Sequence, residues 1–146
     1  MSDGEAARVG AATLQLRDIH AGLRQELAAV RAAVDDYLDG TAPPPVADLR
    51  RHCMSYCDAL HAHHTREDGV FPRLAKDFPE LKPALDRLTR EHELVARLNE
   101  EITALINRLG TGDAAQLRGE LGRLSGELEA HFVYEEAHLG PALDAA

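Results

Sequence analysis

The chain has 146 residues, a formal net charge of −9 at pH 7, and 4% aromatic residues with no tryptophan. This length suits a single domain with a substantial core, which we expect to cover residues 1–146. The negative charge disfavours nucleic acids and anionic membranes as partners. The acidic N-terminus lacks the order of a signal peptide, and no apolar run approaches the roughly 20 residues that span a bilayer. We therefore expect a cytoplasmic protein.

Apolar residues recur at helical spacing in four segments, which are about residues 6–38, 46–74, 79–109 and 114–143. Asp77 with Glu80 predicts a capping box at the start of the third helix, and Asp113 with Gln116 predicts one at the start of the fourth. Short connections make consecutive helices antiparallel. The sequence therefore predicts an all-α, antiparallel up-down-up-down four-helix bundle.

Each predicted helix carries one histidine in line with its apolar residues, as with Val70 and Leu74 beside His63, Leu88 and Val95 beside His92, and Leu128 and Leu139 beside His131. Successive residues turn by about 100° around a helix, which puts these four histidines on the buried stripes. They are His20, His63, His92 and His131. Glu67 and Glu135 each follow one of these histidines by four residues, so each carboxylate shares a face with an imidazole. The pattern His … His-x3-Glu therefore occurs twice and converges inside the bundle.

Two further histidines on the second helix point elsewhere. His61 points roughly 160° and His64 about 100° away from His63. We therefore place His61 and His64 on the flank of the helix or in solvent.

The converging imidazoles and carboxylates predict two metal ions. Burying these groups without a cation would cost several kcal/mol. His20 and His63 would bind one ion, and His92 and His131 the other, with Glu67 and Glu135 as bridges. Mixed imidazole and carboxylate donors with bridging glutamates suit iron or manganese better than they suit a thiolate-rich zinc site. The alternative is a metal-free bundle in which each histidine is a core residue with one hydrogen bond.

These residues resemble the hemerythrin-like, or HHE cation-binding, domains over roughly residues 14–143. The resemblance rests on His20, His63-x3-Glu67-Asp68-x3-Pro72-x-Leu74, Glu91-His92, and His131-x3-Glu135-Glu136 followed by Pro141-x-Leu143. It implies a non-haem centre of two iron ions with carboxylate and oxo or hydroxo bridges. The arrangement H-HxxxE-H-HxxxE is similar to a bacterial subgroup, which implies chemistry with peroxide, oxygen or nitric oxide, including catalase-like activity.

The chain departs from the oxygen-carrying hemerythrins at two places. Those proteins have two histidines four residues apart on the third helix, whereas Leu88 and Ala96 flank His92 at that spacing. They also have an aspartate where this chain has Glu135. One iron would thus lose an imidazole, so reversible oxygen carriage is not expected. Tyr56, two turns before His63 on the same face, is a candidate for an additional ligand, or else a core tyrosine.

The leading functional prediction is a diiron protein that reacts with a small oxidant, with hydrogen peroxide disproportionation as first choice. Glu136, beside Glu135, would serve as a hydrogen-bond partner of the centre or as a proton relay. The alternative from another class is a module that binds or senses oxygen, nitric oxide or iron without turnover.

Other patterns predict weaker alternatives. Glu135-x-x-His138 spells a ferritin-type motif, but its second copy, Asp58-x-x-His61, points outward. Cys53 and Cys57, spaced four apart, form a row with His61 that cannot close a zinc site alone, and a disulfide between them would fit helix geometry poorly. Redox-active thiols remain a further alternative.

The fourth helix presents a face of small residues opposite its apolar stripe. Its glycines are Gly119, Gly122 and Gly126. Glycine inside a helix costs about 1 kcal/mol relative to alanine, and a smooth face permits close helix approach. This face predicts a homodimer.

Overall fold

A computed structural model describes residues 3–40, 45–109 and 114–145, with side chains from residue 14 to residue 142 in these ranges. Its four long helices are α1 (Asp3–Asp39), α2 (Val46–Asp77), α3 (Lys82–Asn107) and α4 (Ala114–Ala145), and a short 3-10 turn precedes α3. Each helix packs against the helices before and after it, and α4 closes the ring against α1. No strand occurs in the described ranges. The predicted all-α four-helix bundle is confirmed.

The helix ends differ from the predicted ones most clearly between α2 and α3. Asp77 is the last residue of α2, and Leu81, which makes no side-chain capping bond, precedes α3. The predicted capping box at Asp77 is therefore wrong. Pro79 is the first residue of the 3-10 turn and Pro83 is the second residue of α3, positions where the missing N–H has no helical partner in any case. The other predicted cap, Asp113, lies outside the described residues.

Two apolar clusters fill the bundle on either side of a polar layer. The larger is built from the second halves of α1 and α3 and the first halves of α2 and α4, and the smaller lies near the α2–α3 turn around Phe71, Leu85, Leu88 and Leu139. Replacing a buried leucine of either cluster by alanine typically costs about 2–5 kcal/mol. The buried polar residues between them are His20, His63, His64, His92, His131 and Glu135.

The predicted apolar stripe holds along α4 but fails at one position of α2. Val70 is 51% exposed, and its neighbour Phe71, at 5%, takes the inward place. The reason is that α1 and α2 pack least closely of the four neighbouring pairs, which leaves a groove between them at this height. None of the helices in the described ranges is both long and apolar enough to cross a membrane.

Candidate metal centre

The structure brings the converging side chains together as two groups that could each hold a metal ion. Within each group the candidate donor atoms all lie within 4.8 Å of one another. The first group consists of His20, His63, Glu67 and Glu135; the second consists of His64, Glu67, His92 and His131. Because Glu67 belongs to both groups, its carboxylate lies where a bridge between two ions would lie.

Helix periodicity accounts for the closest contacts. Nε2 of His63 lies 3.1 Å from Oε1 of Glu67, and Nε2 of His131 lies 3.2 Å from Oε2 of Glu135. Both pairs are spaced i, i+4, so one helical turn brings imidazole and carboxylate together. Longer contacts cross between helices: Glu67 Oε1 is 3.5 Å from Nε2 of His92, and Glu135 Oε1 is 3.7 Å from Nε2 of His20.

Six buried atoms of this layer that could bind a metal make no hydrogen bond of normal geometry among the described residues, although several lie 3.1–3.7 Å from another polar atom of the layer. They are Nε2 of His20, His63 and His64, Oε1 of Glu67, and both carboxylate oxygens of Glu135. An unpartnered buried polar atom typically costs about 1–3 kcal/mol. Six such atoms around two points would be a large penalty in a metal-free protein, and cation binding removes it. The residues present therefore fit a pair of metal ions.

Three of these histidines are oriented by carboxylates on their outer side. The Nδ1 atom of His92 donates to Asp68 at 2.7 Å, that of His131 to Glu91 at 2.9 Å, and that of His20 to Glu136 at 3.1 Å. A proton on Nδ1 leaves the lone pair on Nε2, which faces the centre in each case. Such outer carboxylates commonly orient histidine ligands and raise their basicity.

Sequence reasoning identified only one of these three outer carboxylates. Glu136, predicted as a partner of the centre, orients His20 and is itself held by Arg24 at 3.5 Å. Asp68 and Glu91 had no assigned role. Each outer carboxylate is adjacent in sequence to a candidate ligand, and that adjacency was the available signal.

His64 lies on the flank of α2, which was one of its two predicted places, but this flank is buried at the centre and does not face solvent. The residue is 5% exposed, and its ring stacks on that of His92 with the centroids 4.0 Å apart. A residue of α2 that is turned about 100° away from His63 faces α3, because α3 packs against that side of α2. His64 therefore gives the second group a third imidazole, although α3 has no second histidine four residues from His92. His61, by contrast, is exposed as predicted.

Burial controls the charge of the centre. It lowers the pKa of His64 to about 2, helped by the neighbouring His92 and His131, so this imidazole is neutral. Burial also raises the pKa of Glu135 to about 11, with Glu67 as the next cause. For Glu67 itself, burial is outweighed by contacts with His63 and His92, and its pKa is lowered.

Tyr56 lies in the larger apolar cluster. It is 3% exposed, its hydroxyl has no hydrogen-bond partner among the described residues, and burial raises its pKa. The ring of Phe132 borders the same cavity as Tyr56 and stacks on His20 with a centroid distance of 4.1 Å. Tyr56 therefore borders the same cavity as a residue that stacks on a candidate ligand, and ligation of a metal by its phenol stays a prediction.

Replacing Tyr56 with phenylalanine tests that ligation. If the phenolate binds iron, Tyr56→Phe should remove a charge-transfer band from the visible spectrum while both ions stay bound. An unchanged spectrum at full metal content would make Tyr56 a core residue only.

The cysteines and the ferritin-type motif lie apart from the centre. Neither Cys53 nor Cys57 belongs to a group of three or more candidate ligands in the described part of the chain. His138 is exposed and donates through Nδ1 to the carbonyl of Tyr134 at 2.9 Å. Asp58, in the second copy that the ferritin-type motif would need, is exposed as well.

We expect both cysteines to be unreactive in the folded protein. Burial raises the pKa of Cys53 to about 12 and that of Cys57 to about 11, and both are free thiols. Because the thiolate is the nucleophile, alkylation at pH 8 should be at least about 100-fold slower in the native protein than in denaturant. Mass spectrometry after timed alkylation measures both rates. Fast native labelling would revive the redox-thiol alternative.

The fold and the paired donor groups define a class, that of helix bundles with a histidine and carboxylate centre for metal ions. The family model described as the hemerythrin HHE cation-binding domain matches residues 12–145, and the chain belongs to that family. The chain matches none of the curated proteins and none of the solved structures with which it was compared.

Proposed function

We propose that this protein binds two iron ions in the polar layer and reacts there with a small oxidant, hydrogen peroxide first. The observation that carries the proposal is the set of six buried donor atoms without hydrogen-bond partners, grouped around two points that share Glu67. Membership of a cation-binding family supports the same conclusion. Manganese suits the same donors.

The proposed ligands follow the two groups. His20 and His63 bind the first ion, and His64, His92 and His131 bind the second. Glu67 bridges the ions. Glu135, which contacts both His20 and His131, is the second bridge. This assignment retains the six predicted His/Glu ligands and adds His64.

The two iron ions, when bound, would exchange two electrons with the O–O bond of the oxidant. Protein side chains would hold the ions in position. Asp68, Glu91 and Glu136 hold the Nδ1 protons of three ligand histidines and keep each Nε2 directed inward. Because Glu136 is partly exposed and contacts Arg24, it also links the buried layer to solvent. We propose it as a positioning residue and as a route for protons.

A groove of about 280 Å³ between α1, α2 and α4 supports access for a small molecule. Ile19, Val70 and Leu139 contribute to its apolar walls, and the candidate ligands His63, Glu67 and Glu135 also border it. A molecule the size of peroxide, oxygen or nitric oxide fits such a groove without any change of fold.

Metal analysis with peroxide turnover tests the proposal. Two irons per chain, together with oxygen release from added peroxide at many turnovers per centre, would support the enzyme. A stable, stoichiometric adduct with oxygen or nitric oxide would replace it with the binding or sensing module. A protein without metal, whose thermal stability is unchanged in His63→Ala and His131→Ala, would overturn both in favour of a structural bundle.

A homodimer through the glycine face of α4 stays a prediction. A Cβ at Gly119 or Gly126 would meet no atom within 4 Å, whereas one at Gly122 would meet the guanidinium of Arg31 at 3.6 Å. Gly126→Glu should therefore convert a dimer to a monomer without disturbing the bundle, and Ala32→Glu on the exposed side of α1 is the control. Sedimentation velocity measures the outcome, and an unchanged mass for Gly126→Glu would exclude this interface.

A further inference from the structure

Two adjoining cavities between α2 and α3 lead from the surface to the second donor group. The inner one, of about 120 Å³, is bordered by His64, His92 and Asp68; the outer one, of about 320 Å³, is bordered by Asp58 and Glu100. His61, Ala96 and Asn99 line both. A polar route therefore reaches the centre on a different side from the apolar groove.

The charge along this route differs from that of two other openings into the bundle. Asp58, Glu93 and Glu100 are exposed carboxylates on its walls, Asp68, which contacts His92, is 45% exposed, and no lysine or arginine among the described residues lines either cavity. The apolar groove, by contrast, has Arg66 beside its carboxylates Glu67 and Glu135, and a cavity between α1 and α4 has two arginines beside Glu129. A cleft of one charge sign raises the local concentration of the opposite ion.

Asn99 provides an independent indication of a ligand on this route. It is 8% exposed, and its Nδ2 donates to the carbonyl of Cys57 at 3.5 Å, while its Oδ1 has no hydrogen-bond partner within the described residues. Asn99 stands seven residues after His92, on the same face of α3. Its free amide oxygen is a neutral oxygen donor, of the type that hard cations and their bound waters accept.

We propose that the opening between α2 and α3 is the route by which divalent metal ions enter and leave the centre. The carboxylates at its mouth attract the cation, Asn99 offers an oxygen inside, and His64 and His92 receive it. The proposal rests on the paired metal site above. It assigns a function to the acidic walls and to Asn99, which the chemistry of the centre does not use.

Stopped-flow mixing of metal-free protein with Co²⁺, whose visible absorption reports histidine and carboxylate ligation, tests the route. Ala96→Leu fills the point that the two cavities share, so loading and later stripping by EDTA should both slow about tenfold or more in this packed interface. Two ions should still bind at equilibrium. Ala104→Leu, exposed on the same helix, is the control and should load at the wild-type rate.

Charge removal gives a second, independent variant. Glu93→Gln with Glu100→Gln should slow loading about three- to tenfold at low salt and weaken its salt dependence. Glu101→Gln with Asp36→Asn removes two exposed carboxylates outside the cavities and should have no such effect.

Rates and stoichiometry separate this proposal from the one it rests on. Wild-type rates in Ala96→Leu with two ions bound, or slow loading in the groove variant Val70→Phe alone, would overturn the route and leave the paired site standing. Failure of the wild-type protein to bind Co²⁺ and iron at equilibrium would overturn the paired site itself.

Discussion

Glu67→Gln is expected to lower the metal content from two ions per chain to less than one. Among the described residues, Glu67 is the side chain that the two donor groups share. The amide keeps the shape of the carboxylate but loses its negative charge and part of its acceptor capacity. Glu135 would then be the single anionic ligand for two cations. Elemental analysis after equilibrium dialysis measures the loss.

The same variant should lose the stabilisation that metal confers. Saturating one site at 100 times its Kd adds about 2.7 kcal/mol, so two sites add about 5 kcal/mol. For a domain of this size each kcal/mol raises Tm by about 3 °C, so metal should raise the wild-type Tm by about 15 °C. In Glu67→Gln the rise should be less than about 5 °C.

Glu101→Gln, an exposed change of the same type on α3, is the control and should keep the full rise in Tm. Wild-type metal content and a wild-type rise in Tm in Glu67→Gln would show that the carboxylate does not bridge, and the paired assignment would then be wrong.

His64→Ala is expected to empty the second position while the first stays filled. His64 contributes one of three imidazoles to the second group and none to the first. Loss of even an outer partner of a metal ligand typically weakens binding about 10–100-fold, so loss of a direct ligand should weaken the second ion by more than about 100-fold. Titration with Co²⁺ should then show one ion per chain at concentrations that fill both positions in the wild-type protein.

His61→Ala is the matched control for His64→Ala, since His61 lies three residues earlier on α2 and is exposed. At equilibrium it should bind two ions with wild-type affinity. If His64→Ala bound two ions tightly, His64 would not be a ligand and would be a core residue that stacks on His92.

Much of the architecture was predictable because helix periodicity is local information. The apolar rows of α3 and α4 placed Leu88, Val95, Leu128 and Leu139 inside, and all four are buried. The i, i+4 spacing brought Glu67 close to His63 in the same way. Boundaries were less predictable, since Asp77 satisfies the sequence pattern of a helix start yet ends α2.

The third imidazole was not predictable by the same method. A helical wheel shows which residues lie on the apolar side of a helix and which lie on its flanks. It does not tell which flank is covered by another helix. His64 is buried because α3 packs against that flank of α2, while His61 lies at the exposed edge of the same interface, where it lines the cavities between α2 and α3. Val70 shows the converse, since it lies on the apolar side of α2 and is nevertheless exposed where α1 and α2 separate.

By itself, the sequence determined the four helices, the stripe that each buries, and the candidate ligands spaced along those stripes, because each of these depends on one helix at a time. The tertiary structure alone decided that His64 joins the second group, that Asp68 and Glu91 hold histidines of other helices, and that an acidic opening lies between α2 and α3. These features depend on which helix lies beside which, and at what distance. Packing of complete side chains determines that, and the spacing of residues along one chain does not.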